Sequence, residues 1–376
     1  MAEDFLDAVY GCLIGGAIGD AMGAPVENWH HSDIRKEHGK VERFLPGHRG
    51  ITTSGIPGAI TDDTALKHYM CLAIVRKGGR ITPEDYARVW LEDLNPERLF
   101  FTERIALEKL KLGMSPWETG RGLPAADAAI MAVAPIGIIN AANPTQAYQD
   151  AFNVSLVHQD GFECHAAATA AAGFAAAFAP GASVDGVLDA MLEHGTHETR
   201  RLILVALDLA RNSGAVDAFA EGFYATMLDR SFPVPPGERW DKDHSPGPTS
   251  REVLPAVAAI FWLCGGDPNR CIVEGASFGR DCDTIAGVVG GMAGALRGAD
   301  AIRRDWIQNC EEANEGFFVE VEADAQANFR RMAVRLVEAM ESERQAVRQR
   351  LDTLNRLTGG SEHGSSHTEH PLQPNF

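Results

Sequence analysis

Apolar residues recur with helical spacing through most of this 376-residue sequence. One stripe consists of Leu66, Tyr69, Met70, Ala73 and Ile74, and a second of Ile203, Leu204, Leu207 and Ala210. Alternation with a period of two, which marks a half-buried strand, is hard to find. The pattern therefore predicts an all-α protein, built as a compact bundle of many helices.

Helix breakers are frequent but short, as at Pro57-Gly58 and Pro180-Gly181, and none of them forms a domain linker. We therefore predict one helical domain over residues 1–357. Its last part, about 330–357, is highly charged with a thin apolar stripe, which predicts a peripheral helix. Residues 358–376 are polar and turn-rich, which predicts a disordered tail.

A formal charge of −18 and a pI near 5.1 argue against nucleic acid or an anionic membrane as the main partner. The seven cysteines are scattered and contain no CxxC pair, which predicts reduced thiols and a cytoplasmic location. The first apolar run is interrupted by Asp20 and lacks a basic leader, so we expect neither an export signal nor a membrane span.

Two acidic pairs stand directly before helical stripes: Asp62-Asp63 in TDDT, and Asp281 with Asp283 in GRDCDT. Each pair alone has an ordinary explanation, because Asp and Thr are favoured at helix N-termini. Together they supply four carboxylates and three hydroxyls, the oxygen ligands that hard divalent cations prefer. The two stretches therefore predict a shared metal site.

A third stretch, GAIGDAMGAPVENW, contains Asp20 and ends near Glu27. Glu27 by itself is typical of an exposed acid in a loop. It becomes a candidate site residue only together with the two acidic pairs. Asp20 is predicted to orient a helix end behind the ligands. The glycines here and those after Asp283 predict two helices packed almost backbone to backbone.

These three stretches, in this order, resemble the ADP-ribosylglycohydrolase family from about Asp7 to Ala299. The resemblance implies an orthogonal all-α bundle with a binuclear Mg²⁺ (or Mn²⁺) site in a central cleft. Carried over by motif, one ion would be bound by Thr61, Asp62 and Asp63, and the other by Asp281, Asp283 and Thr284. Glu27 matches a catalytic or gating glutamate, and His158 a histidine that lines the cleft.

One segment departs from the family pattern. Relatives that act on ADP-ribosyl groups carry G-N-G-x-x-M-R-x-A-P, whereas this chain has ADAAIMAVAPIG from Ala126. Met131 is kept, but Asp127 replaces the asparagine and Ala132 the arginine. Asp127, Met131 and His158 are predicted to contact substrate, and loss of the arginine removes a natural phosphate ligand.

The resemblance predicts a metal-dependent hydrolase that cleaves the bond at the anomeric carbon of a ribosyl group, on ADP-ribosyl protein or an ADP-ribosyl small molecule. Glu27 and Asp63 are the expected proton-handling groups. Two alternatives stay open. One is an N-glycosidase of a smaller nucleoside or nucleotide, which the altered segment favours, and the other is a non-catalytic, crystallin-like scaffold.

Overall fold

Eighteen α-helices, and no β-strand, make up the regular structure of residues 3–46, 55–227 and 249–358, the part of the chain that the computed structural model describes. The all-α prediction is therefore confirmed. The predicted disordered tail, residues 358–376, lies outside the described residues from residue 359 onwards.

The helices follow one another along the chain. The first nine are α1 (Glu3–Gly23), α2 (His31–His38), α3 (Asp62–Lys77), α4 (Pro83–Asp93), α5 (Phe101–Lys111), α6 (Ala128–Ala132), α7 (Ala134–Ile139), α8 (Pro144–Ser155) and α9 (Phe162–Ala177). The others are α10 (Val184–His194), α11 (His197–Ser213), α12 (Val216–Thr226), α13 (Ser250–Leu263), α14 (Pro268–Ala276), α15 (Cys282–Arg297), α16 (Arg304–Ala313), α17 (Glu315–Glu322) and α18 (Phe329–Leu357). Short 3₁₀ helices span Ala24–Val26, Pro96–Arg98 and Ala299–Ala301.

Helices α1 and α15 lie against each other at the centre of the fold, from Gly11 to Gly23 of α1 and from Asp283 to Gly294 of α15. A Cβ atom at Gly15 would lie 2.6 Å from the carbonyl oxygen of Gly290, and one at Gly23 would overlap the backbone of Asp283. Only glycine permits so close an approach, so the predicted backbone-to-backbone packing is confirmed. It places the end of α1 directly beside the start of α15.

One continuous hydrophobic core surrounds this pair and extends from Val9 to Ala339. Helix α9 contributes a run of buried alanines, whose small side chains let its neighbours approach closely. Helix α3 is buried on all sides from Asp63 to Ile74. The acids at its N-terminus are therefore carried by a helix that is fixed within the core.

The segment Glu3–Val26 is long and apolar enough to cross a membrane by composition, with a mean hydropathy of 1.3. In the fold, however, 78% of that window is buried inside the protein. A helix whose apolar surface is buried against the rest of the protein has the features of a core helix. The glycine contacts with α15 give this burial a specific partner.

Helix α18 is peripheral and has two unlike halves. Phe329 and Leu336 in its first half are buried in the core. In its second half the apolar stripe is open to solvent, with Val347 56% and Leu351 55% exposed. The distal part of α18 therefore does not contribute to the core.

Candidate metal centre

Three segments that are distant in sequence bring their acids to one place. Glu27 follows the short 3₁₀ helix after α1, Asp62 and Asp63 begin α3, and Asp281 and Asp283 begin α15. The α1–α15 contact brings the first and third segments together. Helix α3 reaches the same place through its N-terminus.

Glu27, Asp281 and Asp283 can each offer one carboxylate oxygen to a common point, because these oxygens lie within 4.8 Å of one another. Asp281 is 6% exposed and Asp283 4%. Oδ2 of Asp281 and Oδ1 of Asp283 are buried and accept no hydrogen bond within the described part of the chain. Buried acceptors without donors are what a hard divalent cation would satisfy, so these residues fit such an ion.

The two acidic pairs are joined directly. Oγ1 of Thr284 donates a hydrogen bond of 2.8 Å to Oδ2 of Asp63. The charges of Asp63 and Asp281 also act on Asp283. The TDDT and DCDT stretches therefore lie in one cluster of oxygen ligands.

The N-terminus of α3 is held by Asp20, which is fully buried in α1. Its carboxylate accepts hydrogen bonds from Thr61 Oγ1 at 2.9 Å and from the backbone N–H of Thr64 at 3.1 Å. Thr61 Oγ1 in turn accepts from the N–H of Asp63 and caps the helix. Asp20 thus fixes the helix start that carries Asp62 and Asp63, and its charge faces the positive end of the helix dipole.

The Thr61 hydroxyl is engaged in these two bonds, and the Thr284 hydroxyl in its bond to Asp63. Asp62 is half-buried at the start of α3, and Glu27 is half-buried with Oε1 accepting from the Asn28 amide at 2.8 Å. These half-buried acids give the cluster a side that is open to solvent.

A tight turn before α15 attaches the Glu27 loop to the Asp281 segment. The N–H of Asn28 donates to the carbonyl of Arg280 at 2.7 Å, and the N–H of Arg280 donates to the carbonyl of Trp29 at 2.9 Å. Gly279 and Arg280 both have positive φ, at 79° and 57°. A Cβ at Gly279 would lie 2.6 Å from the carbonyl oxygen of Trp29, so glycine is required there.

The left-handed conformation of Arg280 costs free energy, and its side chain supplies compensation. Arg280 is 3% exposed, and its guanidinium donates to both carboxylate oxygens of Glu252, on α13, at 2.9–3.0 Å. Bidentate pairs of this kind fix geometry as well as charge. The Arg280–Glu252 pair anchors the turn from below the acid cluster.

Asp127 precedes the short helix α6, which packs against α15, and its carboxyl acts electrostatically on the carboxyl of Asp281. Met131 is buried within α6. The departure from the family segment therefore stands next to the predicted metal ligands.

His158 is fully buried among aromatic rings, with its ring centroid 5.2 Å from that of Trp90. Its Nδ1 lies 4.0 Å from Oε1 of Glu103, which is also fully buried. The charge of Glu103 acts on Asp62, so His158 is connected to the acid cluster through Glu103. Both ring nitrogens lack a hydrogen-bond partner among the described residues.

The cluster is strained electrostatically when no cation compensates it. Burial raises the pKa of Asp63 to about 8, and the nearby charge of Asp20 adds to the effect. Burial, followed by the charge of Glu27, raises the pKa of Asp283 well above its usual range. Burial and Asp127 do the same for the pKa of Asp281. Positive charge among these carboxylates would reverse these shifts.

Sequence reasoning missed Glu103, Glu252 and the clamping role of Arg280. Glu252 and Glu103 are single acids in amphipathic helices, a context typical of exposed charge. The one available signal was Arg280 itself, which stands between Gly279 and Asp281 inside the motif GRDCDT.

Comparisons with known proteins bear on the family and the fold. A family model described as ADP-ribosylglycohydrolase matches residues 1–346. Among solved structures, an ADP-ribosylglycohydrolase-related protein complex shares the fold with a TM-score of 0.64 at 20% identity, covering 90% of this chain and 99% of that chain.

Two curated proteins are similar in sequence. The uncharacterised protein YegU of Escherichia coli is 26% identical over 317 residues, 79% of this chain and 89% of its own length. An uncharacterised protein of Archaeoglobus fulgidus is 26% identical over 311 residues, 80% of this chain and 90% of its own. Neither name assigns an activity.

Proposed function

This chain belongs to the ADP-ribosylglycohydrolase family, and from that premise we propose that it is a metal-dependent hydrolase of ribosyl bonds. The bond broken is the glycosidic bond at the anomeric carbon of an ADP-ribosyl protein or an ADP-ribosyl small molecule. The convergence of Glu27, Asp281 and Asp283 on one point carries the proposal. The seven free, buried cysteines support a cytoplasmic location.

The cluster would hold two divalent ions, Mg²⁺ or Mn²⁺, one by Asp62 and Asp63 and the other by Asp281 and Asp283, with Glu27 beside them. When bound, such ions grip sugar hydroxyls and lower the pKa of a water molecule. The segments that carry these acids are fixed by Asp20 and by the Arg280–Glu252 pair. Rigid supports of this kind keep ligands in productive geometry.

Glu27 and Asp63 divide the proton handling in this proposal. Glu27 is half-buried at the open side of the cluster, where it can accept a proton from an attacking water. Its orientation is fixed by the Asn28 amide. Asp63 is buried deeper, where its carboxyl accepts a hydrogen bond from the hydroxyl of Thr284. The transition state has oxocarbenium character, which the surrounding carboxylates stabilise.

A hydrolysis panel tests the proposal. ADP-ribosyl-arginine, ADP-ribosyl-serine, O-acetyl-ADP-ribose, mononucleotides and nucleosides are incubated with the protein and Mg²⁺ or Mn²⁺, and again with a chelator. We expect turnover of an ADP-ribosyl compound that the chelator abolishes. Asp281→Asn should remove activity, while Asp160→Asn, which changes an exposed acid outside the cluster, should retain it.

Turnover of mononucleotides or nucleosides alone would show the smaller-substrate alternative to be correct. Absence of turnover on every compound, with ions bound, would show a scaffold. Chelator-resistant activity would overturn the metal-dependent mechanism.

A further inference from the structure

Asp127 and Asp281 share an unusual position, because each stands at the N-cap of a helix without capping it. The Asp127 side chain makes no cap hydrogen bond to α6, and the Asp281 side chain makes none to α15. An aspartate at this position normally accepts from the N–H groups of its own helix. Helix capping therefore does not explain why either position carries an aspartate.

Helix α6 packs against α15, and the Asp127 and Asp281 carboxyl groups lie near enough to act on each other electrostatically. Oδ2 of Asp127 and Oδ2 of Asp281 are both buried, and neither accepts a hydrogen bond from a donor in the described part of the chain. Two ionised carboxylates offer only acceptors, so they repel unless a proton or a cation lies between them. Asp281 is only 6% exposed, and an uncompensated charge on so deeply buried a carboxylate is costly.

The surroundings of Asp127 are acidic as well. The ionisable side chains that act most strongly on it are those of Asp281, Asp63 and Glu163. The buried Lys67 acts instead on Asp20 and Asp63, at the other side of the cluster. None of the side chains that act most strongly on Asp127 is basic, so none of them supplies the positive charge that the two carboxylates require.

We propose that Asp127 is a further oxygen ligand of the metal centre, and that it shares an ion with Asp281. This inference rests on the proposed function, since it needs an ion in the cluster. It assigns Asp127 to the metal and not to direct contact with substrate. An asparagine at this position would bring one neutral oxygen and an N–H₂ donor, whereas aspartate adds a full negative charge that favours a hard divalent ion.

Metal titration of the full chain tests the inference without any substrate. Mn²⁺ is titrated into the metal-free wild type, Asp127→Asn and the control Asp160→Asn, with bound ion followed by calorimetry and by electron paramagnetic resonance. We expect the dissociation constant of one of the bound Mn²⁺ ions to be at least about tenfold higher in Asp127→Asn than in the wild type. Asp160→Asn, which removes one exposed negative charge outside the cluster, should bind as the wild type does.

The outcomes separate the two proposals. Equal or tighter binding by Asp127→Asn would overturn the role of Asp127 and leave the proposed function intact. Failure of the wild type to bind any Mn²⁺ would overturn both. Equal weakening in Asp127→Asn and Asp160→Asn would show a general charge effect and overturn the assignment.

A second measurement needs no variant and so does not depend on how Asp127→Asn folds. Anomalous diffraction from wild-type crystals loaded with Mn²⁺ locates the ions directly. We expect a peak about 2.0–2.6 Å from an Asp127 oxygen, the range for carboxylates around hard cations. Peaks that all lie beyond ligand distance of Asp127 would overturn the inference.

Discussion

Arg280 donates to both carboxylate oxygens of Glu252 at the base of the acid cluster, and its backbone pairs with the loop that carries Glu27. One residue thus joins α13, the Glu27 loop and the start of α15. The position of Glu27 relative to Asp281 depends on this residue.

Replacing Glu252 by Gln tests the clamp. It removes the carboxylate charge that pairs with the buried guanidinium of Arg280, and breaking a buried pair in this way typically costs about 3–5 kcal/mol. We expect a loss of this order in the free energy of unfolding, measured by urea denaturation, and weaker binding of Mn²⁺.

The matched control is Asp305→Asn, which breaks the exposed pair between Arg303 and Asp305. Exposed pairs contribute about 0–1 kcal/mol, so this change should be nearly neutral. Similar losses for both variants would contradict the clamp.

Gly15→Ala tests the contact between α1 and α15. The added Cβ would lie 2.6 Å from the carbonyl oxygen of Gly290, so the helices must separate. Overpacking costs about 1–3 kcal/mol, and separation would also displace Asp283. We expect a lower Tm in the metal-free protein and a weaker response of Tm to Mg²⁺.

Gly316→Ala is the control, since a Cβ there meets no atom within 4 Å inside helix α17. Alanine is the better helix former by about 0.5–1 kcal/mol, so this variant should be slightly stabilised. A Gly15→Ala protein as stable as Gly316→Ala would show that α1 and α15 approach less closely.

Stability should depend on pH in a way that the ions reverse. The Asp63 pKa is about 8 in the folded, ion-free protein and about 3.8 as a free side chain. Between these values the folded chain binds more protons than the unfolded chain, so its unfolding free energy falls as pH rises. Divalent ions need deprotonated ligands, so their binding strengthens over the same window.

We therefore expect the gain in Tm on adding Mg²⁺ to increase between about pH 4 and pH 8, in the window those two pKa values define. Thermal unfolding followed by circular dichroism, with Mg²⁺ or chelator at each pH, measures this gain. A gain that stays constant or shrinks with rising pH would contradict the prediction.

Asp20→Asn tests the support of α3. The amide keeps one acceptor oxygen but loses the charge at the helix N-terminus and adds two buried donors. Leaving buried polar groups unsatisfied costs about 1–3 kcal/mol, which should appear in urea denaturation. Mn²⁺ should also bind more weakly, although Asp20 is placed behind the ligands; unchanged affinity would show that α3 holds its position without Asp20.

The helical class and the glycine-lined helix faces could be predicted because they depend on local composition. The meeting of TDDT with DCDT could be predicted because two acidic pairs need a shared cation and because both stretches match motifs of one family. Glycines at Gly15 and Gly290 can be read directly as sites of close approach, and paired acids as candidate ligands. The stripe on α11 was predicted less well: Ile203 and Leu207 are buried, but Leu204 is 45% exposed. An apolar residue at the edge of a helical face does not reveal which side the neighbours cover.

Pairings between single residues could not be predicted. Nothing in the sequence near Glu252 indicates that it meets Arg280, and nothing near Glu103 indicates His158, because such contacts depend on how distant helices cross. In the sequence, Asp127 departs from the family segment, and its place in that segment predicts a substrate contact. Its nearness to Asp281 became visible only from the packing of α6 beside α15.

The pairing of α1 with α15 also has a consequence for synthesis. Helix α1 is translated long before α15, so its glycine-lined face meets its partner only after the residues between Gly23 and Cys282 have also been translated. Contacts between residues so far apart in sequence form slowly, and the apolar surface that they cover stays exposed until they form. Helix α1 therefore stays without its main partner until α15 has been made, and the acid cluster that depends on their contact forms only after that.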